Sequence, residues 1–120
     1  MNEEMIALGR RAVTCKGWRW MPGMLRQDGF RVTERVTKPL LTHVHGTALP
    51  DLTDPATLGC LLALVREAWG DPNACADYAL TDPVWYVNAR HEYEGKEYLG
   101  VVVEAATEAE ALVAALEAAP

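Results

Sequence analysis

The chain has 120 residues, half of them hydrophobic and 23% charged, with a formal net charge of −6. This is the size and composition of one soluble domain that can bury its own core without metal or disulfide staples. The acidic balance argues against a duplex-binding surface, which draws its affinity from clustered Lys and Arg, although Arg10, Arg11, Lys16, Arg19 and Arg26 gather near the start.

Cys15, Cys60 and Cys75 are odd in number and form no CxxC pair. That pattern suits reduced thiols in a cytoplasm better than a secreted disulfide framework. The opening MNEEMIALGRR sets acids before its apolar residues and does not read as a signal peptide. No window nears the roughly 18 apolar residues of a membrane span. The expectation is a cytoplasmic protein that does not engage membranes.

Met5, Leu8, Ala12 and Cys15 recur at helical spacing and predict a first helix over 3–15, with Gly17 as its left-handed terminator. Met21-Pro22-Gly23-Met24 then reads as a turn. Asp28-Gly29 between apolar runs predicts a hairpin over 24–27 and 30–37, with Phe30, Val32, Glu34 and Val36 on one face. A further short strand is expected over 40–45.

The clearest element follows Asp54, a good cap, and Pro55, which fits a first helical position. Leu58, Leu61, Leu62, Val65 and Trp69 make an apolar stripe before Gly70 stops the helix, and this helix is expected to be the most buried. Residues 73–83 read as a loop. A second hairpin is predicted over 84–93 and 97–105, with Leu99, Val101 and Val103 alternating against Tyr98, Gly100 and Val102. Thr107 and Glu110 form a capping box opening a last helix over 108–118. Residues 1–120 thus read as a single α+β domain. Its small antiparallel sheet is built from two hairpins, with three helices, in the order α-ββ-α-ββ-α.

Three segments, PDLTDPATLGCLLALVREAWGDP at 50–72, TEAEALVAALEAAP at 107–120 and KGWRWMPGM at 16–24, resemble a group of small hypothetical proteins of bacteriophage and prophage genomes. The resemblance implies a phage context and the cytoplasm of a host. It supplies no activity, ligand or catalytic residue.

Candidate chemistry is sparse. His43 and His45, two apart on an extended chain, would project from one face and could share a metal, with His91, Cys60, Cys75 or Asp51 as further donors. The plainer reading places both at a strand end. Of the cysteines, Cys60 reads as a buried inert thiol and Cys75 as the best nucleophile. No GxSxG, Walker A or GxGxxG motif occurs, and neither a catalytic residue nor a cofactor is assigned.

Two binding surfaces stand out. Tyr86, Asn88, Arg90 and Tyr98 fall together on the expected wet face of the second hairpin, with side chains common at interfaces. Trp18-Arg19-Trp20 offers stacked rings near several cations, against the plainer reading of Trp18 as part of a helix end. The leading expectation is a non-enzymatic phage binding protein that engages a host protein. The alternative is a nucleotide-type small molecule held by Arg19 and Trp20, acting against a host defence signal. A metal-dependent enzyme using His43 and His45 ranks third. A homo-oligomer through sheet edges remains open.

Overall fold

Among the described residues six elements form, in the order α1 (Glu3–Thr14), α2 (Pro55–Trp69), β1 (Cys75–Ala79), β2 (Val84–Tyr93), β3 (Lys96–Ala105) and α3 (Glu108–Ala118). They are seen in a computed structural model, which describes residues 2–33 and 47–120. The α+β class is as expected, but the arrangement is α-α-βββ-α rather than two hairpins. The strands make one antiparallel sheet in the order β1-β2-β3.

Among the described residues the first expected hairpin reduces to one isolated bridge, Leu25 to Arg31, while Arg26 bridges instead to Pro50. Its turn does form: the Arg26 N–H donates to the Phe30 carbonyl at 2.8 Å and the Val32 N–H to that of Met24 at 2.7 Å. The neighbouring amides are drawn elsewhere. Gln27 donates to the Leu49 carbonyl at 2.8 Å, and Leu25 to the Thr57 hydroxyl at 2.8 Å. A ladder cannot extend when its donors are spent on other partners. Val32 is buried, whereas Phe30 is exposed with the Arg26 guanidinium 5.1 Å above its ring. The expectations for 34–37 and for a strand over 40–45, His43 and His45 included, lie outside the described residues.

The third strand instead comes from the segment expected to be a loop. Cys75 to Ala79 pair in register with Asn88 back to Val84. The run CADYA has weak intrinsic strand preference, so the pairing edge of β2 imposes its conformation. The β2–β3 hairpin forms as expected, with its connection one residue shorter than the expected 94–96. Glu94 and Gly95 both take positive φ, 50° and 77°, and Tyr93 pairs with Lys96. That is the two-residue mirror-image turn whose twist suits a hairpin.

α2 starts as its sequence requires. The Asp54 carboxylate accepts from the Thr57 N–H at 3.0 Å, Pro55 follows, and Gly70 ends the helix at φ 64°. α3, however, is the more deeply buried helix. Ala109, Ala111, Leu112, Val113, Ala115 and Leu116 are all buried, because α3 touches both other helices and all three strands. Its alanines do more than favour a helix: a helix buried nearly all round needs small side chains where neighbours come close. The Trp69 indole N–H donates to the Ala115 carbonyl at 2.8 Å and ties α2 to α3.

α1 buries Leu8 and Ala12, with Met5 and Cys15 packed at the edge of the core, as its periodicity predicts. Its end differs. The helix stops at Thr14, with Cys15 extended at φ −66°, ψ 139°, and Gly17 is absent from the positive-φ residues. The reason for glycine there is contact, not φ. A Cβ on Gly17 would meet Leu116 Cδ1 at 3.0 Å and Ala68 Cβ at 3.4 Å, so the chain leaving α1 presses directly onto α2 and α3.

Candidate functional site

Helices α2 and α3 cover one face of the sheet. Val87 and Ala89 are fully buried there, and Trp85, Val102 and Val103 pack at the margin of the same core. Side chains alternate across a strand, so Tyr86, Asn88 and Arg90 project from the other face. Directly opposite them stand Asp77 and Glu104 on either side of Tyr86, Val101 beside Asn88, and Leu99 beside Arg90. No described helix packs on this outer face.

β3 carries a bulge that decides what the outer face displays. Val87 pairs with Val103 and Asn88 with Val101, leaving Val102 as the extra residue. A bulge turns two successive side chains toward the same side, and Val102 and Val103 both pack against the core. Beyond it the alternation is inverted. Leu99 and Val101 therefore face outward, 74% and 49% exposed, where uninterrupted alternation would have placed them with Val103 against the helices. Tyr98 moves the opposite way. It pairs with His91 on the helix-side face and stacks on the His91 ring at 6.1 Å.

The expected surface of Tyr86, Arg90 and Tyr98 is thereby divided. Tyr86 and Arg90 share the outer face, and Arg90 Nε lies 3.1 Å from a Glu97 carboxylate oxygen. That pair relieves the like charges of Glu92 and Glu97, which sit directly opposite each other. Tyr98 joins a separate aromatic row with His91, Trp69 and Tyr93. Leu99 and Val101 were missed as surface residues, because nothing in the run YLGVVVEA marks where a bulge falls.

A second feature lies between α1 and the loop after it. Trp18 and Trp20 meet edge to face, centroids 5.4 Å apart at 82°. Both line a cleft of about 580 Å³ together with Arg10, Val13 and residues 47–49. The Trp18 indole N–H is buried and has no acceptor. Arg19 is not part of this cleft: it pairs with Glu67 of α2. The extended alternation of Trp18-Arg19-Trp20 explains the split, with both rings on one side and the guanidinium on the other. The cation beside the rings is Arg10, one of the five basic residues visible near the start of the sequence.

The thiols show little nucleophilic character where a shift is resolved. Burial pushes the Cys15 and Cys60 thiols up, away from the thiolate. Cys60 sits 3.5 Å from the Pro22 carbonyl, and Cys75 lies at the edge of the outer sheet face opposite Asn88. All three are free. Among the described residues no three His, Cys, Asp or Glu side chains gather as a metal site; His43 and His45 lie outside them. Among the same residues no helix is long and apolar enough to cross a membrane.

The fold and surfaces thus define an α+β domain with an open sheet face and a tryptophan-lined cleft. Comparison of the chain with protein-family models, curated proteins and solved structures finds no match in any of the three.

Proposed function

We propose that the chain is a small phage accessory protein that works in the cytoplasm of its host by docking a host protein on the outer face of its sheet. The observation that carries this reading is the outward placement of Leu99 and Val101, 74% and 49% exposed, on the same face as Tyr86, a face that no described helix covers. An exposed apolar centre beside an aromatic side chain is how protein interfaces are built.

The rim says what kind of partner fits. Asp77, Glu92, Glu97 and Glu104 surround the apolar centre on that face, and Arg90 is engaged by Glu97. The partner is therefore a protein with an apolar patch bordered by Lys or Arg. A second copy would set acidic rim against acidic rim in a chain of net charge −6. The resemblance of segments 16–24, 50–72 and 107–120 to small phage proteins supports the host setting.

The test is affinity capture from host lysate with the wild-type chain, Val101→Glu and the control Leu80→Glu, whose side chain is 87% exposed outside the strands. A stoichiometric protein held by the wild type and the control but at least roughly tenfold depleted with Val101→Glu supports the reading. Capture indifferent to Val101→Glu, or none, overturns it.

A further inference from the structure

We propose that the cleft beside Trp18 and Trp20 binds a planar aromatic anion of mononucleotide size, with Arg10 meeting the charge and the Trp18 indole N–H donating to an acceptor on the ligand. This does not depend on the sheet-face reading. Three observations converge on it.

The first is the cleft itself. Its volume of about 580 Å³ falls in the range of small-molecule sites. Two indole rings at 82° give a planar ligand both a face and an edge to pack against.

The second is the Trp18 N–H, buried without an acceptor. Buried donors are nearly always satisfied, and one left unmet marks a place where a partner belongs. The described lining residues of the cleft include no Asp or Glu side chain to supply it.

The third is charge. Arg11, Arg19, Arg26, Arg31 and Arg90 each pair with a carboxylate, and Arg66 donates to the Ala74 carbonyl at 2.8 Å. Among the described residues Arg10 is the one arginine with no such partner, and it lines this cleft. In an acidic protein, an uncommitted guanidinium lining the same cleft as a tryptophan with an unmet N–H selects an acceptor-rich, negatively charged ligand. Phosphate and carboxylate share that chemistry, and Arg forks onto either.

The experiment is calorimetric titration, together with ¹H–¹⁵N spectra of the indole N–H groups, on the intact chain. The probes are adenosine 5′-monophosphate and 1-naphthoate, with adenosine and inorganic phosphate as the uncharged and non-aromatic controls. Binding of either aromatic anion is expected, with a shifted Trp18 indole resonance and both controls at least about tenfold weaker. Arg10→Gln and Trp18→Phe should each weaken that binding about tenfold, while Leu80→Glu leaves it unchanged. Which anion binds tells phosphate from carboxylate. Failure of both to bind, or binding indifferent to Arg10→Gln, overturns the proposal. Arg10 is an exposed residue of α1, so that second outcome stands even if Trp18→Phe disturbs the fold.

Discussion

The carboxylate of Asp71 accepts a hydrogen bond from the backbone N–H of Arg90 at 2.8 Å, and so joins the end of α2 to the middle of the sheet. Its other oxygen accepts from the Asn73 N–H at 2.9 Å. These two amides hold the Asp71 carboxyl below its ordinary range. Asp71 is 4% exposed, a rare setting for a carboxylate, and its contacts set where the segment after Gly70 turns into β1. Asp71→Ala should leave the Arg90 amide without its acceptor. Hydrogen exchange at that amide is expected to rise roughly tenfold, more than at the neighbouring Val87 amide. Equal protection in wild type and variant would show that the link is dispensable.

Gly17 makes a different kind of junction. Its missing side chain is what lets the loop after α1 lie against Leu116 and Ala68. Gly17→Ala should destabilise the protein by about 1–3 kcal/mol, the usual range for overpacking. Shortening the obstructing residue should relieve it, so Gly17→Ala and Leu116→Ala together should cost less than their sum. Strict additivity in denaturant unfolding would contradict the contact.

How much of this was legible in the sequence depended on whether the cause was local. Asp54-Pro55, Gly70, Thr107 and Glu94-Gly95 act within a few residues, and each appears where its chemistry predicts. The hairpin at Asp28-Gly29 failed because the amides of Gln27 and Leu25, on the strand before the turn, bond to Leu49 and Thr57, more than twenty residues away. β1 was read as a loop for the converse reason, since its conformation comes from β2 and not from CADYA. Gly17 was recognised as necessary but for the wrong reason. Crowding by Leu116 is a tertiary fact that no local pattern records. At the cleft, the two tryptophans were visible from their spacing, whereas the exchange of Arg19 for Arg10 required knowing that Glu67 lies nearby.

The acid limb of stability should carry a signature from Asp54. Its carboxylate accepts from both Arg31 guanidinium nitrogens at 2.6 and 3.2 Å and from the Thr57 hydroxyl at 2.9 Å. Its pKa falls from 3.8 to about 2, chiefly through Arg31. The unfolded chain therefore takes up this proton first as pH drops. The stability it contributes is complete above pH 3.8 and lost as pH falls toward 2. The Arg31 side chain is 47% exposed, so solvent screens the pair and the contribution is about 1 kcal/mol at most. Asp54→Asn keeps an efficient cap but removes the titration. Unfolding curves between pH 4 and 2 should then be flatter for the variant, by roughly that amount. Parallel curves would assign the acid limb to the other depressed carboxylates, Asp28, Asp71 and Glu117.

The bulge at Val102 makes the sharpest test of the outer face, because it reverses what alternation alone predicts for three valines in a row. Period-two counting groups Val101 with Val103 and sets Val102 apart; the structure groups Val102 with Val103 and turns Val101 out. Each truncation to Ala removes two methyl groups. Val103→Ala and Val102→Ala should each cost about 1–2 kcal/mol, since those side chains pack against the core around Val87. Val101→Ala should change stability by less than about 0.5 kcal/mol, as an exposed position does. Chemical denaturation of the three variants decides between the groupings. A costly Val101→Ala beside a harmless Val102→Ala would restore simple alternation and remove the apolar centre from the outer face. The predicted order instead leaves Leu99 and Val101 free of any role in folding. A substitution there that abolishes capture of a partner would then be read as loss of contact rather than loss of structure.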